Sequence, residues 1–292
     1  SFAVDTSIFL YKYKYSNKLL QSFLQQYYHF KSNGIDLIYV FDGKPAKEKQ
    51  FILESRKNSK EKQNQKIETL IQKKKELIEN NNENNNENNE EIQKIEKTIN
   101  EVKRRCINIT KEDIEGVKKL FNIIGAKYIH INCEADPICC YLYKKGIVDG
   151  CVSNDMDFLP LGCGKLIRNY NLGNMIEEYT LDTILSDSSM SYNKFVDFCI
   201  LCGCDYTCKI PRLGFITAYK NLIKFENIEE LVDNLCIKNK KFKLPDNFDY
   251  IKARELLKNE EDYEYHINNL NFNIDQENEK LNKHFILENT KF

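Results

Sequence analysis

A chain of 292 residues is long enough for one well-filled core, or for one core with a smaller appendage. Apolar residues make up 41% and charged residues 30%, which is typical of a soluble globular protein, and the net charge of −1 indicates no overall preference for a polyanion. The longest apolar runs, such as residues 198–202, are far shorter than the roughly 20 residues that a membrane helix needs, so no membrane partner is expected.

The N-terminus has no basic region before its first apolar stretch, and therefore does not indicate a secretion signal. It begins abruptly, as expected if the natural start lay further upstream. Eleven cysteines, an odd number, indicate mostly free thiols in a reducing intracellular compartment. A structural zinc site at Cys199, Cys202, Cys204 and Cys208 is the less favoured alternative, because no second CxxC pair accompanies them.

Short apolar runs in the first two thirds of the chain predict buried strands that alternate with helices. The predicted strands are residues 3–5, 35–41, 126–131 and 150–155, and the predicted helices are one directly after Asp5 and those at 16–32, 110–124 and 134–145. This alternation predicts an α/β fold with a parallel sheet and helices on both faces. We assign residues 1–45 and 110–190 to this core.

Residues 46–109 interrupt the alternation. Between Lys44 and Glu76 there are eleven Lys or Arg and five Glu, a local charge of 11 − 5 = +6. Helical spacing is seen in Ile67, Leu70, Ile71, Leu77 and Ile78 and again in Ile92, Ile95, Ile99 and Val102. Between these sets lies an Asn-rich stretch, residues 80–89, which we expect to be a mobile loop tip. A helical hairpin that projects from the sheet is the favoured interpretation, and a plain coiled-coil spacer is the alternative.

After residue 191 the pattern becomes helical. Residues 191–206 predict a buried helix ending in a glycine-containing turn, and residues 210–235 predict two further helices around a turn at Gly214. We assign 191–240 to a small helical unit. Residues 241–292 contain few apolar anchors, and we expect them to form a C-terminal segment that packs on the core.

Acidic residues follow the predicted strands. Asp5, Asp42 and the pair Asp155 and Asp157 each end a strand, and Glu134 and Asp136 begin the helix after another strand. In open α/β sheets this edge is where ligands bind. With Asp205 these residues make seven carboxylates, which are the ligands that Mg²⁺ prefers. The number favours two ions, which at about 4 Å apart can activate a water and stabilise a leaving oxygen.

Two basic residues begin the interrupting segment. Lys49 and Arg56 are seven positions apart, which is two helical turns, so both can point from one helix face toward a phosphate. For either residue, an exposed salt bridge is the alternative interpretation.

Five sequence blocks carry a resemblance to a known family. They are "AVDTSIFLY", "YVFDGKPAKEKQFILESRK", "CEADPICCYLYKKG", "SNDMDFLPLG" and "VDFCILCGCDY". They occur in the order and approximate spacing of the structure-specific 5′ nucleases, and from residue 3 to about 235 the chain resembles the flap endonuclease and XPG-type family. The resemblance implies a PIN-like 5′-nuclease fold, in which 46–109 form a helical arch and 191–240 a helix-two-turn-helix region.

The resemblance also implies residue roles. Two Mg²⁺ ions, for which Mn²⁺ substitutes, would be held by one group of Asp42, Glu134 and Asp136 near Asp5, and by a second group of Asp155, Asp157 and Asp205. Lys49 and Arg56 would contact the scissile phosphate and, with Asp155, form the catalytic set. Tyr11 would stack on a base where the duplex end frays; a core or interface tyrosine is the alternative. Arg212 and Gly214 would bind the duplex, with a K⁺ ion at the helix-two-turn-helix.

The chain departs from the family pattern at several positions. Asp136 stands where flap endonucleases usually have Glu, and the 5′-exonuclease branch has the same "EAD". Arg212 replaces the first of two glycines, and Phe215, Ile216 and Thr217 follow in place of basic residues. These changes put duplex anchoring and K⁺ binding in question. The glycine-led N-terminal segment and a terminal sliding-clamp motif are not visible, and the Asn-rich insertion makes the arch longer.

The resulting expectation is a magnesium-dependent nuclease that cleaves branched or flapped DNA as a flap endonuclease, with 5′-exonuclease activity also open, in replication or repair. The expected location is the nucleus or another site of DNA replication. A sliding clamp would bind through a region outside this sequence, and the chain would act as a monomer. The alternatives are a catalytically weak scaffold that binds DNA junctions, and a phosphatase with an Asp nucleophile at Asp155 or Asp157, which leaves the basic segment unexplained.

Overall fold

The computed structural model describes residues 1–45, 49–79, 86–130, 132–171, 175–238, 241–258 and 263, without the side chains of 50–53, 86–89 and 104–105. A six-stranded sheet lies at the centre of the described residues, in the order β3-β2-β1-β4-β5-β6. All neighbouring strands are parallel except β5 and β6. The strands are Phe2–Asp5 (β1), Leu37–Phe41 (β2), Lys127–His130 (β3), Cys151–Val152 (β4), Lys165–Arg168 (β5) and Glu177–Thr180 (β6).

Eleven α-helices are present in the described ranges. They are Thr6–Tyr15 (α1), Leu19–Ser32 (α2), Gln50–Glu79 (α3), Asn86–Arg105 (α4), Lys111–Ile124 (α5), Ala135–Lys144 (α6), Leu181–Ser188 (α7), Tyr192–Cys202 (α8), Phe215–Leu222 (α9), Ile228–Val232 (α10) and Tyr250–Lys258 (α11). Met156–Phe158 form a 3₁₀ turn and Asp233–Lys238 a π-helical turn. No helix within these described ranges has the length and apolar character that a membrane span requires.

Side chains of the central strand alternate between two apolar layers, as the period of a strand requires. Ala3 belongs to the larger core, which includes Ile138 of α6 and Val196 of α8. Val4 belongs to the second core, which includes Phe23 of α2 and Phe121 of α5. The sheet is therefore covered by helices on both faces, and the predicted mostly parallel α/β fold is confirmed.

Two strands were not predicted from the sequence. β5 and β6 extend the sheet beyond β4, and β6 runs antiparallel. β6 has the sequence EEYT, and its first two residues are exposed because it lies at the sheet edge. An exposed edge strand has no continuous apolar run, so the pattern that predicts buried strands does not detect it.

Helices α3 and α4 pack against each other through a small apolar cluster of their own. Its buried members are Ile67, Ile95, Ile99 and Val102. Ion pairs between the helices join Lys73 to Glu91 and Lys74 to Glu96, each at 2.6 Å. The predicted Asn-rich loop is shorter than expected, because α4 already begins at Asn86; its other positions, 80–85, lie outside the described residues.

Helices α7 to α11 form the helical layer beside the larger core. Of residues 210–235, for which two helices around a turn at Gly214 were predicted, Phe215–Leu222 form α9 directly after its N-cap Gly214, and Ile228–Val232 form α10. The prediction of one helix over 16–32 was wrong at its start, because residues 16–18 separate α1 from α2. Of the C-terminal segment, α11 buries Ala253 and Leu257 in the larger core. Residues 264–292 lie outside the described part of the chain.

Candidate functional site

Six of the seven predicted acids line one pocket of about 400 Å³ at the carboxyl ends of the parallel strands. They are Asp5, Asp42, Glu134, Asp136, Asp155 and Asp205. The seventh, Asp157, lies next to the pocket, since the charges of Asp155 and Asp205 both act on it. Side chains up to 200 positions apart in sequence thus share one site, as the parallel-sheet argument requires.

Asp5 is held at the end of β1 by hydrogen bonds on both carboxylate oxygens. It is the N-cap of α1 and accepts a bond from the Ser7 backbone N–H at 3.1 Å. Its other oxygen accepts a bond from the Ser153 hydroxyl at 3.0 Å. Burial and the charge of Asp42 raise the pKa of Asp5 to about 7. The carboxyl group is therefore fixed in place although its charge is unfavourable there.

Asp42 joins the end of β2 to the start of α6. One of its oxygens accepts a hydrogen bond from the Ala135 backbone N–H at 2.8 Å, and the Gly43 N–H bonds to the Cys133 carbonyl at 2.7 Å. The first N–H groups of a helix have no partner within the helix, so an Asp placed there satisfies one of them. This contact places Glu134, the N-cap of α6, at the same pocket.

The remaining acids lie close enough to affect one another. Burial raises the pKa of Asp136 well above its ordinary value, and the charges of Asp5 and Asp155 raise it further. Burial, together with Asp155 and Asp205, raises the pKa of Asp157 to about 7. Clustered carboxylates repel one another, so a positive charge placed among them is stabilised.

Two cations from the start of α3 stand among these acids. The Lys49 ammonium lies 3.1 Å from Glu134 and 3.7 Å from Asp205, and its side chain is 13% exposed. A guanidinium nitrogen of Arg56 lies 3.5 Å from the same oxygen of Asp205, but its side chain is 69% exposed. Burial alone would lower the pKa of Lys49, but Tyr206, Glu134 and Asp136 raise it above its ordinary value.

The donor set of this pocket fits hard divalent cations. Its side chains supply six carboxylates and the hydroxyls of Ser7 and Tyr11, with no soft sulfur ligand, and oxygen ligands of this kind are the chemistry of Mg²⁺ and Mn²⁺ sites. In the described ranges, however, no three acidic, His or Cys side chains form a group at metal-binding distances. The assignment of these acids to two ion sites stays a prediction. In this structure Lys49 lies between Glu134 and Asp205.

The cysteines lie apart from this pocket. All eleven are free, and Cys199, Cys202, Cys204 and Cys208 are half-buried beside the larger core. Because none of them belongs to a metal-binding group among the described residues, the less favoured zinc alternative gains no support.

The predicted DNA-binding residues fall in two places. Tyr11 lines the acidic pocket and is 53% exposed, so it is not a core tyrosine, whereas an interface tyrosine stays the alternative to base stacking. Arg212 and Gly214 do not line that pocket; both are exposed and precede α9. Arg212 has φ of 67°, a left-handed conformation that favours glycine. On the same helix, Phe215 and Ile216 are 67% and 55% exposed.

Two residues at the site were not identified from the sequence. Ser153 bonds Asp5 through its hydroxyl and accepts the Asp155 backbone N–H at 3.1 Å, so it links two of the acids. The ring of Tyr206 lies under the Lys49 ammonium. Each stands in the same sequence block as a predicted ligand, but neither has a side chain that binds hard metals well, so a search for carboxylates passes over both.

Comparison with known proteins gives one family match. Residues 125–205 match the model of the XPG I-region, and this span contains Glu134, Asp136, Asp155, Asp157 and Asp205. It covers β3, α6, β4 and β5 and reaches the turn after α8.

Similar curated proteins extend the likeness over most of the chain. Flap endonuclease 1 from Cryptosporidium muris is 36% identical over 238 residues, covering 77% of this chain and 46% of that protein. Flap endonuclease 1 from Entamoeba histolytica is 32% identical over 228 residues, covering 77% of this chain and 54% of that protein. The chain thus spans about half the length of these two relatives.

A solved structure shares the fold. The catalytic core of Rad2 in complex with DNA substrate superposes with a TM-score of 0.59 at 21% identity, covering 89% of this chain and 73% of that chain.

Proposed function

The chain belongs to the flap endonuclease and XPG-type family, and we propose that it is a structure-specific nuclease that hydrolyses DNA phosphodiesters where single and double strands meet. The observation that carries the proposal is the pocket itself. Six carboxylates converge at one sheet edge, and two cations from the start of α3 stand beside them. A site that only bound DNA would gain nothing from clustered negative charge, because the DNA backbone is itself an anion.

The acids would hold divalent cations in the proposed reaction. Asp42, Glu134 and Asp136, with Asp5, form one candidate ligand group, and Asp155, Asp157 and Asp205 form the other. When bound, two Mg²⁺ or Mn²⁺ ions would supply an activated water and charge stabilisation at the leaving oxygen. Ser153 and the Ala135 N–H would orient Asp5 and Asp42, since each donates a hydrogen bond to one of these carboxylates.

Lys49 and Arg56 would bind the phosphodiester. Both reach Asp205, Lys49 from the position just before α3 and Arg56 from within α3, so a phosphate entering the pocket would meet two cations. They would balance the negative charge that develops on the phosphate in the transition state. The half-exposed ring of Tyr11 lines the same pocket and would stack on the base beside the cleaved bond.

Other parts of the proposal lie outside the pocket. Helices α3 and α4 would form the arch through which a 5′ strand passes, and the segment around Arg212 and Gly214 would contact the duplex. K⁺ at this segment, a sliding-clamp partner, a monomeric state and a location at sites of DNA replication stay predictions. Duplex binding compared in K⁺ and in Na⁺ tests the first of them.

The decisive experiment is product sizing on labelled 5′-flap, nicked, gapped and four-way DNAs, in Mg²⁺ and again in Ca²⁺. We expect incision at the flap junction in Mg²⁺, and binding without cleavage in Ca²⁺. Binding of the flap without cleavage in Mg²⁺ or Mn²⁺ would instead support the junction scaffold. Turnover of an aryl phosphate without any DNA cleavage would support the phosphatase.

A further inference from the structure

The proposed function gives Tyr206 no role, although its ring lies beside the Lys49 ammonium, which stands among the acids. It is the second of two turn residues, Asp205 and Tyr206, between the paired residues Cys204 and Thr207. The turn follows α8 directly, and the Tyr206 ring is half-buried against the larger core. One short turn therefore carries a carboxylate that lines the pocket and an aromatic ring that contacts the Lys49 ammonium.

The face of this ring lies against the Lys49 ammonium. The distance from the Lys49 nitrogen to the ring centroid is 5.1 Å, within the range at which an aromatic face attracts a cation. The same nitrogen lies 3.1 Å from Glu134 and 3.7 Å from Asp205. The ammonium is thus held by one acid from each of the two candidate ligand groups and by the ring.

The ring is the part of this arrangement that limits where Lys49 can go. A lysine has a flexible four-carbon stem and a charge without directional geometry, so acids alone attract it without fixing its position. A phosphate that enters the pocket would compete with Glu134 and Asp205 for the Lys49 ammonium, and a divalent cation would compete with the ammonium for these two acids. The contact with the Tyr206 ring involves no charged group on the ring, and such a competitor does not remove it.

Arg56 differs in this respect. Its side chain is 69% exposed, against 13% for Lys49, and among the described residues it forms its ion pair in the pocket with Asp205. A planar guanidinium with five donors can bind phosphate in a fixed geometry without a supporting ring. Among the described residues, Lys49 is therefore the one of these two cations whose charged group lies over an aromatic ring.

We propose that Tyr206 is a positioning residue whose ring holds the Lys49 ammonium at the boundary between the two acid groups, facing the phosphate that is to be cleaved. The kinetic test of this assignment rests on the proposed nuclease function. A second test does not depend on that function. Tyr206 acts through Lys49 and makes no contact with the reacting atoms.

The kinetic test is a double-mutant cycle on a 5′-flap substrate, under single-turnover conditions with saturating enzyme and Mg²⁺. Tyr206→Leu should lower the cleavage rate about tenfold with little change in substrate affinity. The reason is that Lys49 stabilises mainly the transition state, and this stabilisation is lost when its ammonium is out of position. Tyr206→Phe keeps the ring and should stay within about twofold of the wild type. In a Lys49→Met background, Tyr206→Leu should have no further effect, because the residue through which it acts is absent.

A control separates positioning from general damage. Tyr250 places its ring 5.6 Å from the Arg254 guanidinium, a similar ring–cation contact outside the pocket, and Tyr250→Leu should leave the cleavage rate unchanged. Equal losses from Tyr206→Leu with and without Lys49, or equal losses from Tyr206→Phe and Tyr206→Leu, would overturn the assignment.

The second test needs no cleavage. Reductive ¹³C-methylation of the lysines keeps their charge, and the Lys49 signal is identified by its absence in Lys49→Arg. In the wild type and in Tyr206→Phe, the ring should move the chemical shift of the Lys49 methyl signal away from those of the other lysines. In Tyr206→Leu this difference should be lost. An unshifted wild-type signal would refute the positioning. A shifted signal in a protein that cuts no flap would leave the contact standing and remove the nuclease function.

Discussion

Arg254 donates two hydrogen bonds to the buried carboxylate of Asp197, from Nε at 2.8 Å and from Nη2 at 3.0 Å. Asp197 lies on α8, and also accepts the Ile228 backbone N–H at 3.2 Å. The same guanidinium donates two further bonds to Glu229 of α10. One arginine on α11 therefore ties three helices together, and two of these, α8 and α10, pack against α9, which directly follows the segment that we propose for duplex contact.

Replacing Arg254 should destabilise the protein strongly. Arg254→Ala leaves the carboxylate of Asp197, a residue only 3% exposed, buried without its cation, which costs about 3 kcal/mol or more of unfolding free energy. Urea denaturation followed by circular dichroism measures the loss. Lys252→Ala on the same helix is the matched control, because its pair with Glu255 is exposed and should contribute less than about 1 kcal/mol. Equal effects of the two variants would contradict the role of the Asp197 pair.

The hairpin of α3 and α4 should unfold separately from the sheet. Its small cluster is distinct from both sheet cores, so Ile99→Ala should weaken the hairpin by about 2 kcal/mol or more and leave the sheet intact. Hydrogen exchange should become faster in 54–79 and 90–103, with no change in β1 and β2. Ile78→Ala is the control, since Ile78 is 52% exposed although its helical spacing predicts that it belongs to the apolar set. A matching loss of protection in the strands would show that the hairpin and the sheet unfold together.

Arg212 occupies a backbone conformation that suits glycine. Because a left-handed conformation costs a residue with a side chain about 1–2 kcal/mol, Arg212→Gly should raise the unfolding free energy by about 1 kcal/mol. Asn17, with φ of 58°, is a comparison site, and Asn17→Gly should give a smaller gain since Asn tolerates this region better. If Arg212 also contacts duplex phosphates, the same variant should bind DNA more weakly while being more stable. A variant less stable than the wild type would show that the Arg212 side chain stabilises the fold.

The fold was largely predictable because buried parallel strands leave a strong signal. Each predicted strand is an apolar run, and its following acid is found at the expected sheet edge. β6 was not predictable, because EEYT is an exposed edge strand whose pairing depends on β5 rather than on its own apolar pattern. The start of α4 inside the Asn-rich stretch was missed for a related reason, since packing against α3 overrides a weak local preference.

The site was predictable in its acids but not in its contacts. Asp42 and Glu134 could be paired from the sheet argument, but the hydrogen bond from Ala135 to Asp42 depends on how α6 meets β2. The position of Lys49 between the two acid groups depends on where α3 begins relative to the turn that carries Asp205. Such relations join segments about 90 to 150 residues apart, and no local pattern in a single sequence encodes them.

Divalent cations should stabilise the protein in the absence of DNA. A ligand that binds the folded state alone raises the unfolding free energy, and a concentration of 100 times the dissociation constant adds about 2.7 kcal/mol. Adding Mg²⁺ or Ca²⁺ should therefore raise the melting temperature, and chelation should reverse the rise. In Asp5→Asn the rise should be smaller, because that variant removes one carboxylate from the pocket. The absence of any rise in the wild type would contradict the proposed ion binding.

Asp155→Asn should abolish cleavage while leaving DNA binding largely intact. Asp155 lines the pocket, its N–H is fixed by Ser153, and its own oxygen accepts the Asp157 N–H at 2.9 Å, so the amide can keep this local structure. The amide loses the negative charge that a hard cation needs. We therefore expect the single-turnover rate on a 5′ flap to fall at least about a hundredfold, which is a loss of about 2.7 kcal/mol in transition-state stabilisation.

Asp187→Asn is the matched control, because Asp187 is an exposed residue of α7 that does not line the pocket. The cleavage rate of this variant should equal that of the wild type. Fluorescence anisotropy in Ca²⁺ measures binding of the same flap for both variants. Wild-type cleavage by Asp155→Asn would remove this carboxylate from the mechanism, whereas loss of binding together with cleavage would assign it to substrate recognition instead.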